Sequence, residues 1–394
     1  MSAYACGPEL GSEPGTGWAW ARAAAVDHDV WLLTRTRNRE SITAALDLEP
    51  NLRLTPIYLD LPTWVLRLKR GRWVRTYYSI WQSLARREAK RLHSVHQFDV
   101  AHHITFGTDW LPAGVVGIRA LPSVWGPVGG TAPFPWALRE WLGVRGLIEE
   151  ALRVPIGWVG RRIFGDWAAR RATLVIAQNH EVASRFDYAR PILEPHVALE
   201  PRRAAPPDDA HGNRSSDRTA LFVGRLLAWK GILLAVRTIA ETPASNWRLE
   251  IFGEGPQSSA ARRLADRLRI SDRVTFNGQR DRLEVLAAYR SADAMLFPSM
   301  HDSASWAVGE AIMSGLRVIC LDVCGPAVLV ERTNCGRVVP ISRSAPHALA
   351  EALQSIEAVG PQSLTVEPVS SSRLPSLLSS WYNEATRAEV GGVE

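Results

Sequence analysis

Two carboxylates in the second half of the chain are spaced so that they could bind a nucleotide sugar. Asp302 precedes a predicted helix that begins near Ser305, and Glu310 lies inside that helix among apolar residues. A carboxylate there can accept two hydrogen bonds from the vicinal hydroxyls of a ribose. The small residues Ser303, Ala304 and Ser305 lead into the helix, whose free N–H groups and dipole favour phosphate.

A purely structural interpretation of the same residues stays open. Asp302, Ser303 and Ser305 are all good N-cap residues, and a single glutamate on a helix usually faces water. The choice depends on which other groups lie beside the helix.

Two cations follow a predicted strand earlier in the same half. The strand ends in Gly224 and Arg225, and Lys230 comes five residues later. An arginine fork and a lysine point charge at the carboxyl end of a strand can clamp a diphosphate. Later strands in this half end in turns that contain Gly253 and Gln279, and backbone groups at the second turn could contact a nucleotide base.

The first half opens with a glycine-rich turn. Gly11, Gly15 and Gly17 precede a predicted helix, Trp18–Val26. The turn could bring its backbone, at Gly17 in particular, close to a phosphate or sugar, or it could be an ordinary strand–helix connection. Its spacing is not the Gly-x-Gly-x-x-Gly fingerprint of dinucleotide-binding domains, which argues against a dehydrogenase.

Two adjacent histidines, His102 and His103, lie on the predicted strand Val100–Phe106. Adjacent strand residues face opposite sides of a sheet, so only one of them could face a given ligand site. Doubly wound sheets bind ligands at the carboxyl ends of their strands. A structural role also stays open for each histidine.

Strands and helices alternate along both halves, which predicts an α/β fold with two parallel sheets covered by helices on both faces. The stretch Pro201–Arg218 is Pro-rich, polar and without periodicity, which is typical of a linker. The sequence therefore predicts a first domain over residues 1–200, a linker over 201–218, a second domain over 219–373, and a C-terminal helix and tail over 374–394.

The overall composition narrows the classes of function. A chain of 394 residues favours two domains, and a formal charge of +6 without a long basic run does not predict a nucleic-acid groove. The four cysteines lack metal-ligand spacing and fit free thiols in a reducing cytosol. No apolar run reaches the ~18 residues of a spanning helix, and the start lacks a secretory signal pattern. We expect a cytoplasmic protein without a metal ion.

Two segments of the first half, residues 61–91 and 136–171, are both basic and aromatic. Tryptophan and tyrosine favour a membrane interface, and arginine favours anionic headgroups. Alternatively, both segments form amphipathic helices that cover the sheet and keep their arginines in water. The first interpretation predicts peripheral contact with the inner face of an anionic membrane and a lipid-linked or glycan acceptor.

Several motifs together resemble those of a known family. The second half contains GRLLAWKG, FGEGP, FNGQ, FPSMHDSASWAVGEAIMSG and a later Gly325-Pro326, and the first half contains GSEPGTGW and WGPVGG. Their set and order resemble the retaining glycosyltransferases of family 4, and the resemblance covers nearly the whole chain. It implies the GT-B fold, in which two doubly wound Rossmann-like domains face each other across a cleft.

The resemblance also implies roles for individual residues. Arg225 and Lys230 would hold the donor diphosphate, and Glu310 would hold the ribose. Asp302 stands where the family usually has a glutamate that contacts the transferred sugar, so its side chain is one methylene shorter.

The implied reaction moves a hexose-type sugar, with retention and without a metal, from a nucleoside diphosphate sugar to a hydroxyl of a glycan, lipid-linked or small-molecule acceptor. His102 or His103 would stand near the reacting sugar. A second hypothesis, motivated by Asp302 and the short first strand, is a catalytically weak subunit that binds nucleotide sugar and partners another transferase.

Overall fold

The computed structural model describes residues 1–8, 10–62, 65, 74–130, 132, 134–200, 218–242, 247–303, 305–356 and 365–390. The chain divides into two compact units, one formed by residues 1–131, 155–198 and 371–394 and the other by residues 132–154 and 199–370. Apart from Arg218, the linker predicted over residues 201–218 lies outside the described residues, as does Ala304.

Each unit is built on a parallel sheet. Among the described residues the first unit has seven strands in the order β3-β2-β1-β4-β5-β6-β7, and the second has six in the order β10-β9-β8-β11-β12-β13. The strands are β1 Ser2–Ala3, β2 Val30–Thr34, β3 Leu54–Tyr58, β4 Ala101–Thr105, β5 Ser123–Val128, β6 Leu174–Ala177, β7 Ile192–Leu193, β8 Arg218–Val223, β9 Trp247–Phe252, β10 Val274–Gly278, β11 Ala294–Phe297, β12 Val318–Leu321 and β13 Gly336–Val339.

Helices follow most strands and cover both faces of each sheet, which explains why the central strands are short, nearly continuous apolar runs. The helices are α1 Ser12–Asp27, α2 Arg39–Leu48, α3 Val74–His96, α4 Gly143–Gly160, α5 Asp166–Arg171, α6 His180–Arg185, α7 Ile232–Glu241, α8 Ser258–Arg267, α9 Arg282–Ser291, α10 Trp306–Met313, α11 Cys324–Thr333, α12 Ala345–Gln354 and α13 Leu374–Val390. A π-helical turn, Arg161–Gly165, joins α4 to α5 without a break.

The strand orders place the two topological switch points. The order reverses beside β1, between β1 and β4, and again beside β8, between β8 and β11. In doubly wound sheets the crevice beyond the carboxyl ends of the strands at this point is where ligands bind. The loops after β1, β4, β8 and β11 therefore lie where each sheet would bind a ligand.

The first helix begins earlier than the sequence predicts. α1 starts at Ser12 rather than Trp18, so Gly15 and Gly17 lie within it. A Cβ on Gly17 would lie only 2.1 Å from the carbonyl oxygen of Ala5. Glycine at this position lets the helix pack directly on the chain that leaves β1. This packing explains a glycine at position 17 without any contact to a ligand.

The domain boundaries also differ from the predicted ones at two places. Residues 132–154 pack in the second unit, where Phe134, Leu138 and Leu142 join its core. The last helix returns to the first unit, where Leu374, Leu378, Trp381 and Ala385 are buried near α1. Their spacing along α13 forms one apolar stripe, and burying that stripe is what draws the predicted tail back onto the first unit.

Candidate active site

Three turns at the carboxyl edge of the second sheet are bound to one another through their backbones. Gly224 donates to the oxygen of Phe252 at 2.9 Å, and Gly253 donates to the oxygen of Gly278 at 2.8 Å. Gly253 has a φ of +135°, and a Cβ there would lie 2.0 Å from the oxygen of Gly224. Only glycine fits such an approach. The exposed Gln279 follows directly.

Lys230 and Asp302 form an ion pair at the switch point of this sheet. The Lys230 Nζ donates to Asp302 Oδ2, and both side chains are mostly buried. The contact is repeated one residue earlier on each segment, where the Trp229 ring stacks on His301 with centroids 5.2 Å apart and planes at 15°. Met300 also donates its N–H to the oxygen of Trp229 at 2.7 Å. The turn before α7 and the loop after β11 are thus fixed to each other at three points.

A buried glutamate supports this arrangement from α4. His301 Nε2 lies 3.0 Å from Glu150 Oε1, and Glu150 also pairs with Arg153 at 2.6 Å. Burial lowers the pKa of His301, so the neutral ring donates its Nε2–H to the carboxylate. Burial acts to raise the pKa of Glu150, but bonds from His301 and Arg153 outweigh it and lower that pKa.

Arg225 is the exposed cation of the site. Its side chain has no hydrogen bond or ion pair with any other described residue. Because it follows β8 directly, its guanidinium is available to an anion beyond the strand end. This position agrees with the prediction that Arg225 could contact a diphosphate.

Glu310 already has a cationic partner in the protein. Arg282, the first residue of α9, lies 2.8 Å from Glu310 Oε1, and the glutamate side chain is 14% exposed. The nearby Tyr289 hydroxyl is buried without a hydrogen-bond partner among the described residues. Burial and the charge of Glu310 raise the Tyr289 pKa well above its ordinary value. The glutamate therefore does not simply face water, as the structural interpretation supposed.

Two helix starts flank Asp302. Ser305 is the N-cap residue of α10, as its residue type suggests, but its side chain makes no capping hydrogen bond. The second helix is α11, which the sequence analysis did not predict, and its Gly325 N–H donates to the oxygen of Asp302 at 3.1 Å. Ser303 lies in the same loop, and both helix dipoles favour negative charge there.

The two histidines of β4 lie on opposite faces of the first sheet, as the strand geometry predicts, and both are buried. His102 Nδ1 lies 2.7 Å from the Tyr382 hydroxyl, and its Nε2 lies 2.8 Å from the oxygen of Gly126. His103 Nε2 lies 3.2 Å from the Tyr78 hydroxyl, while its Nδ1 has no partner among the described residues. Burial lowers the pKa of each ring to about 3, so both are neutral.

A carboxyl group that the sequence analysis missed lies at the other switch point. Glu13, in the first turn of α1, receives a hydrogen bond from the backbone of Gly107, just beyond β4. Its Oε2 is buried without a partner among the described residues. Burial raises its pKa to about 7, and its charge also reaches Tyr78. Glu13, Tyr78 and His103 are therefore one buried polar cluster.

The structure thus joins some of the predicted residues directly. Lys230 and Asp302 are paired, and Glu310 is held by Arg282, a residue that sequence reasoning missed. The adjacent His301 could have been noticed from its place beside Asp302, whereas no local pattern marks Glu150, which is distant in sequence. No group of three or more His, Cys, Asp or Glu side chains within the described ranges could hold a metal ion.

The two doubly wound sheets define the class of protein, because they form the GT-B fold. Sucrose-phosphate synthase of Thermosynechococcus elongatus superposes with a TM-score of 0.61 over 96% of this chain and 94% of that structure, at 20% identity. That likeness concerns the fold alone, and it confirms the predicted fold class.

Residues 207–363 match the family model for glycosyl transferases group 1. D-inositol 3-phosphate glycosyltransferase of Corynebacterium glutamicum (strain R) is 32% identical over 147 residues, which are 35% of this chain and 35% of that protein. Lipopolysaccharide glucosyltransferase WaaG of Escherichia coli (strain K12) is 32% identical over 134 residues, 33% of this chain and 34% of that protein. The chain spans about a third of the length of these relatives. The resemblance to glycosyltransferases that the motifs predict is confirmed.

Proposed function

We propose that this protein is a retaining glycosyltransferase that moves a hexose-type sugar from a nucleoside diphosphate sugar to a hydroxyl acceptor. The acceptor is a glycan, a lipid-linked sugar or a small molecule, and the reaction serves polysaccharide or glycoconjugate biosynthesis in the cytoplasm. The relatives named above are glycosyltransferases, and two of them act, by name, on an inositol phosphate and on lipopolysaccharide.

The observation that carries this proposal is the group at the second switch point. Arg225 is exposed and unpaired within the described chain, Lys230 and Asp302 are paired, and two helices start beside Asp302. Cations and helix starts favour the charge of a diphosphate, while the carboxylate can bind sugar hydroxyls. A nucleoside diphosphate sugar carries both a diphosphate and sugar hydroxyls, so it could bind the cations, the helix starts and the carboxylate together.

In this mechanism the leaving diphosphate gains negative charge in the transition state. Arg225 and Lys230 stabilise that charge. As the diphosphate takes the Lys230 ammonium, Asp302 is released toward the hydroxyls of the sugar. Glu310, held by Arg282, binds the ribose, and no step requires a metal ion.

The test is transfer by the Arg225→Ala and Lys230→Ala variants, compared with Arg263→Ala, an exposed arginine on α8 outside the site. A panel of nucleoside diphosphate sugars that differ in base and hexose identifies the donor by mass spectrometry of the products. We expect turnover to fall by about 10²-fold or more in the first two variants, the loss typical of removing a charge-stabilising group. Normal transfer by either variant would remove the role proposed for that residue.

A catalytically weak binding subunit is the second candidate, and the existing partners of Lys230 and Glu310 are the observation that favours it. A binding subunit would be stabilised against thermal unfolding by a nucleoside diphosphate and yet transfer no sugar to any acceptor. Measured transfer to a defined acceptor excludes it.

A further inference from the structure

The segment from α4 to α5 exposes a long row of apolar side chains. Ten of the eighteen exposed large hydrophobic residues of the described chain lie between positions 136 and 167. The part of the row in the first unit consists of Ile156, Trp158, Val159, Ile163 and Trp167, and we call it the outer face. Its main members recur at intervals of three or four residues, which aligns them along one side of a helix about 40 Å long.

The amphipathic pattern of this segment is the reverse of that of an ordinary surface helix. Its buried positions with a described side chain are small or polar: Gly146, Glu150, Gly157, Gly160, Gly165, Asp166, Ala168 and Ala169. Glu150 is 5% exposed, whereas Leu152 is 62% exposed. Among the described residues, the helix packs on the protein mainly through small and polar residues together with the partly buried Leu147, and its apolar row stays exposed. Exposed apolar patches of this size mark interaction sites.

The other basic and aromatic segment behaves differently. On α3 the described aromatic residues Tyr77, Tyr78 and Trp81 are all buried. That helix covers the sheet with its apolar side, as the alternative interpretation predicts. The two segments look alike in composition, but in the described residues only the second leaves its aromatic side chains in solvent.

The residues around the outer face indicate what covers it. Exposed charged residues from position 139 to 171 are mainly arginines, Arg139, Arg162, Arg170 and Arg171 against Glu140 and Glu149. Exposed tryptophans stand at Trp136, Trp158 and Trp167. Apolar side chains with indoles and flanking arginines are what a helix lying in an anionic lipid interface requires. No helix within the described ranges has the length and hydropathy needed to cross a bilayer.

We propose that the outer face is a docking surface for an anionic lipid bilayer, on which the helix lies parallel to the membrane plane. Burial of these large apolar side chains in the bilayer favours binding, and the arginines add attraction to the headgroups. This surface is independent of the donor chemistry proposed above, so either proposal can fail without the other.

The experiment measures co-sedimentation of the full chain with vesicles of phosphatidylcholine, with and without phosphatidylglycerol. The test variant carries Ile156→Ser, Trp158→Ser and Ile163→Ser. The matched control carries Leu48→Ser, Ile80→Ser and Val95→Ser, three apolar residues that are 84%, 47% and 64% exposed outside the face. Thermal unfolding checks that both variants are folded.

We expect the wild-type chain and the control to bind the anionic vesicles, and the test variant to bind at least 10-fold more weakly. Binding should be weaker to pure phosphatidylcholine and should decrease with added salt, because the arginine contribution is screened. Equal binding by the test variant would overturn the proposal. The proposal would also be overturned if the wild-type chain bound no vesicles but formed a dimer, and the test variant were monomeric. The outer face would then be covered by a second copy of the chain.

Discussion

Lys230 and Asp302 neutralise each other in the second unit, and this pairing predicts an unusual mutant phenotype. In Asp302→Asn the diphosphate no longer competes with a carboxylate for the Lys230 ammonium. We expect a nucleoside diphosphate to bind about 10-fold more tightly. This factor corresponds to ~1.4 kcal/mol, which is within the range that one charged hydrogen bond contributes. Sugar transfer should fall by about 10²-fold, because in the proposed mechanism the carboxylate also orients the sugar.

Calorimetric titration with nucleoside diphosphates and single-turnover transfer measure the two effects separately. Asp272→Asn, at an exposed position in the same unit, is the matched control and should change neither. Weaker nucleotide binding in Asp302→Asn would contradict the competition between the carboxylate and the diphosphate.

Glu13 predicts a pH dependence of stability in the first unit. Its folded pKa is raised from 4.5 to about 7, so the folded state holds the proton more tightly than the unfolded chain does. The contribution to stability is complete below pH 4.5 and is lost as the pH rises to about 7. The slope is at most about 1.4 kcal/mol per pH unit.

Glu13→Gln removes this dependence. Urea unfolding of both proteins at several pH values from 4.5 to 8 gives the free energy of unfolding of each. As the pH rises, the stability of the wild type should fall relative to that of the variant. The neutral His102 and His103 titrate in the opposite sense, but they are present in both proteins and cancel. A difference that is flat with pH would mean that Glu13 is ionised throughout.

Single residues were predictable from the sequence where a local pattern marks them. Asp302 and Glu310 belong to a motif beside a helix start, and Arg225 follows a clear strand. Glu13 and Glu150 carry no such mark, because their importance comes from burial and from partners far away in sequence. Arg282 was missed for the same reason, since its contact with Glu310 joins two helices.

At the scale of elements, α3 and α4 show what composition leaves undecided. Both are amphipathic and rich in arginine and tryptophan or tyrosine. A periodic apolar row identifies a helix, but it does not tell whether the row points to the core or to a membrane. What decides it for α4 is the opposite side, where Gly160 permits close packing that a larger residue would prevent.

That close packing gives a stability prediction for the helical segment. A Cβ on Gly160 would lie 2.5 Å from the oxygen of Trp110, and one on Gly165 would lie 2.1 Å from the oxygen of Asp109. We expect Gly160→Ala and Gly165→Ala each to lower the free energy of unfolding by about 1–3 kcal/mol, because the backbone must move apart. Ala151→Ser, on the exposed side of α4, is the control for chemical denaturation. A gain in stability, as expected for alanine in an unobstructed helix, would show that the segment does not pack closely.

For the whole molecule, the alternation of strands and helices was sufficient to predict two parallel sheets. Strands such as β2 and β11 are short, mainly apolar runs, as expected for buried parallel strands. The sequence did not indicate in which unit residues 132–154 and α13 pack, because each segment packs against residues that are distant in sequence. The order of patterns along the chain predicts the strands and helices. It does not predict on which unit an amphipathic helix buries its apolar side.

The return of α13 to the first unit makes the last residues of the chain part of its core. Trp381 is 5% exposed and stacks on Trp20 with ring centroids 6.0 Å apart, and the neighbouring Tyr382 bonds to His102. We expect Trp381→Ala to destabilise the first unit by about 3–5 kcal/mol, whereas Asn383→Ala, exposed on the same helix, should have little effect. Hydrogen exchange measured by mass spectrometry should show faster exchange in β4 and unchanged exchange in β11. Equal acceleration in both sheets would mean that the two units unfold together, and no acceleration in β4 would mean that α13 does not stabilise the first sheet.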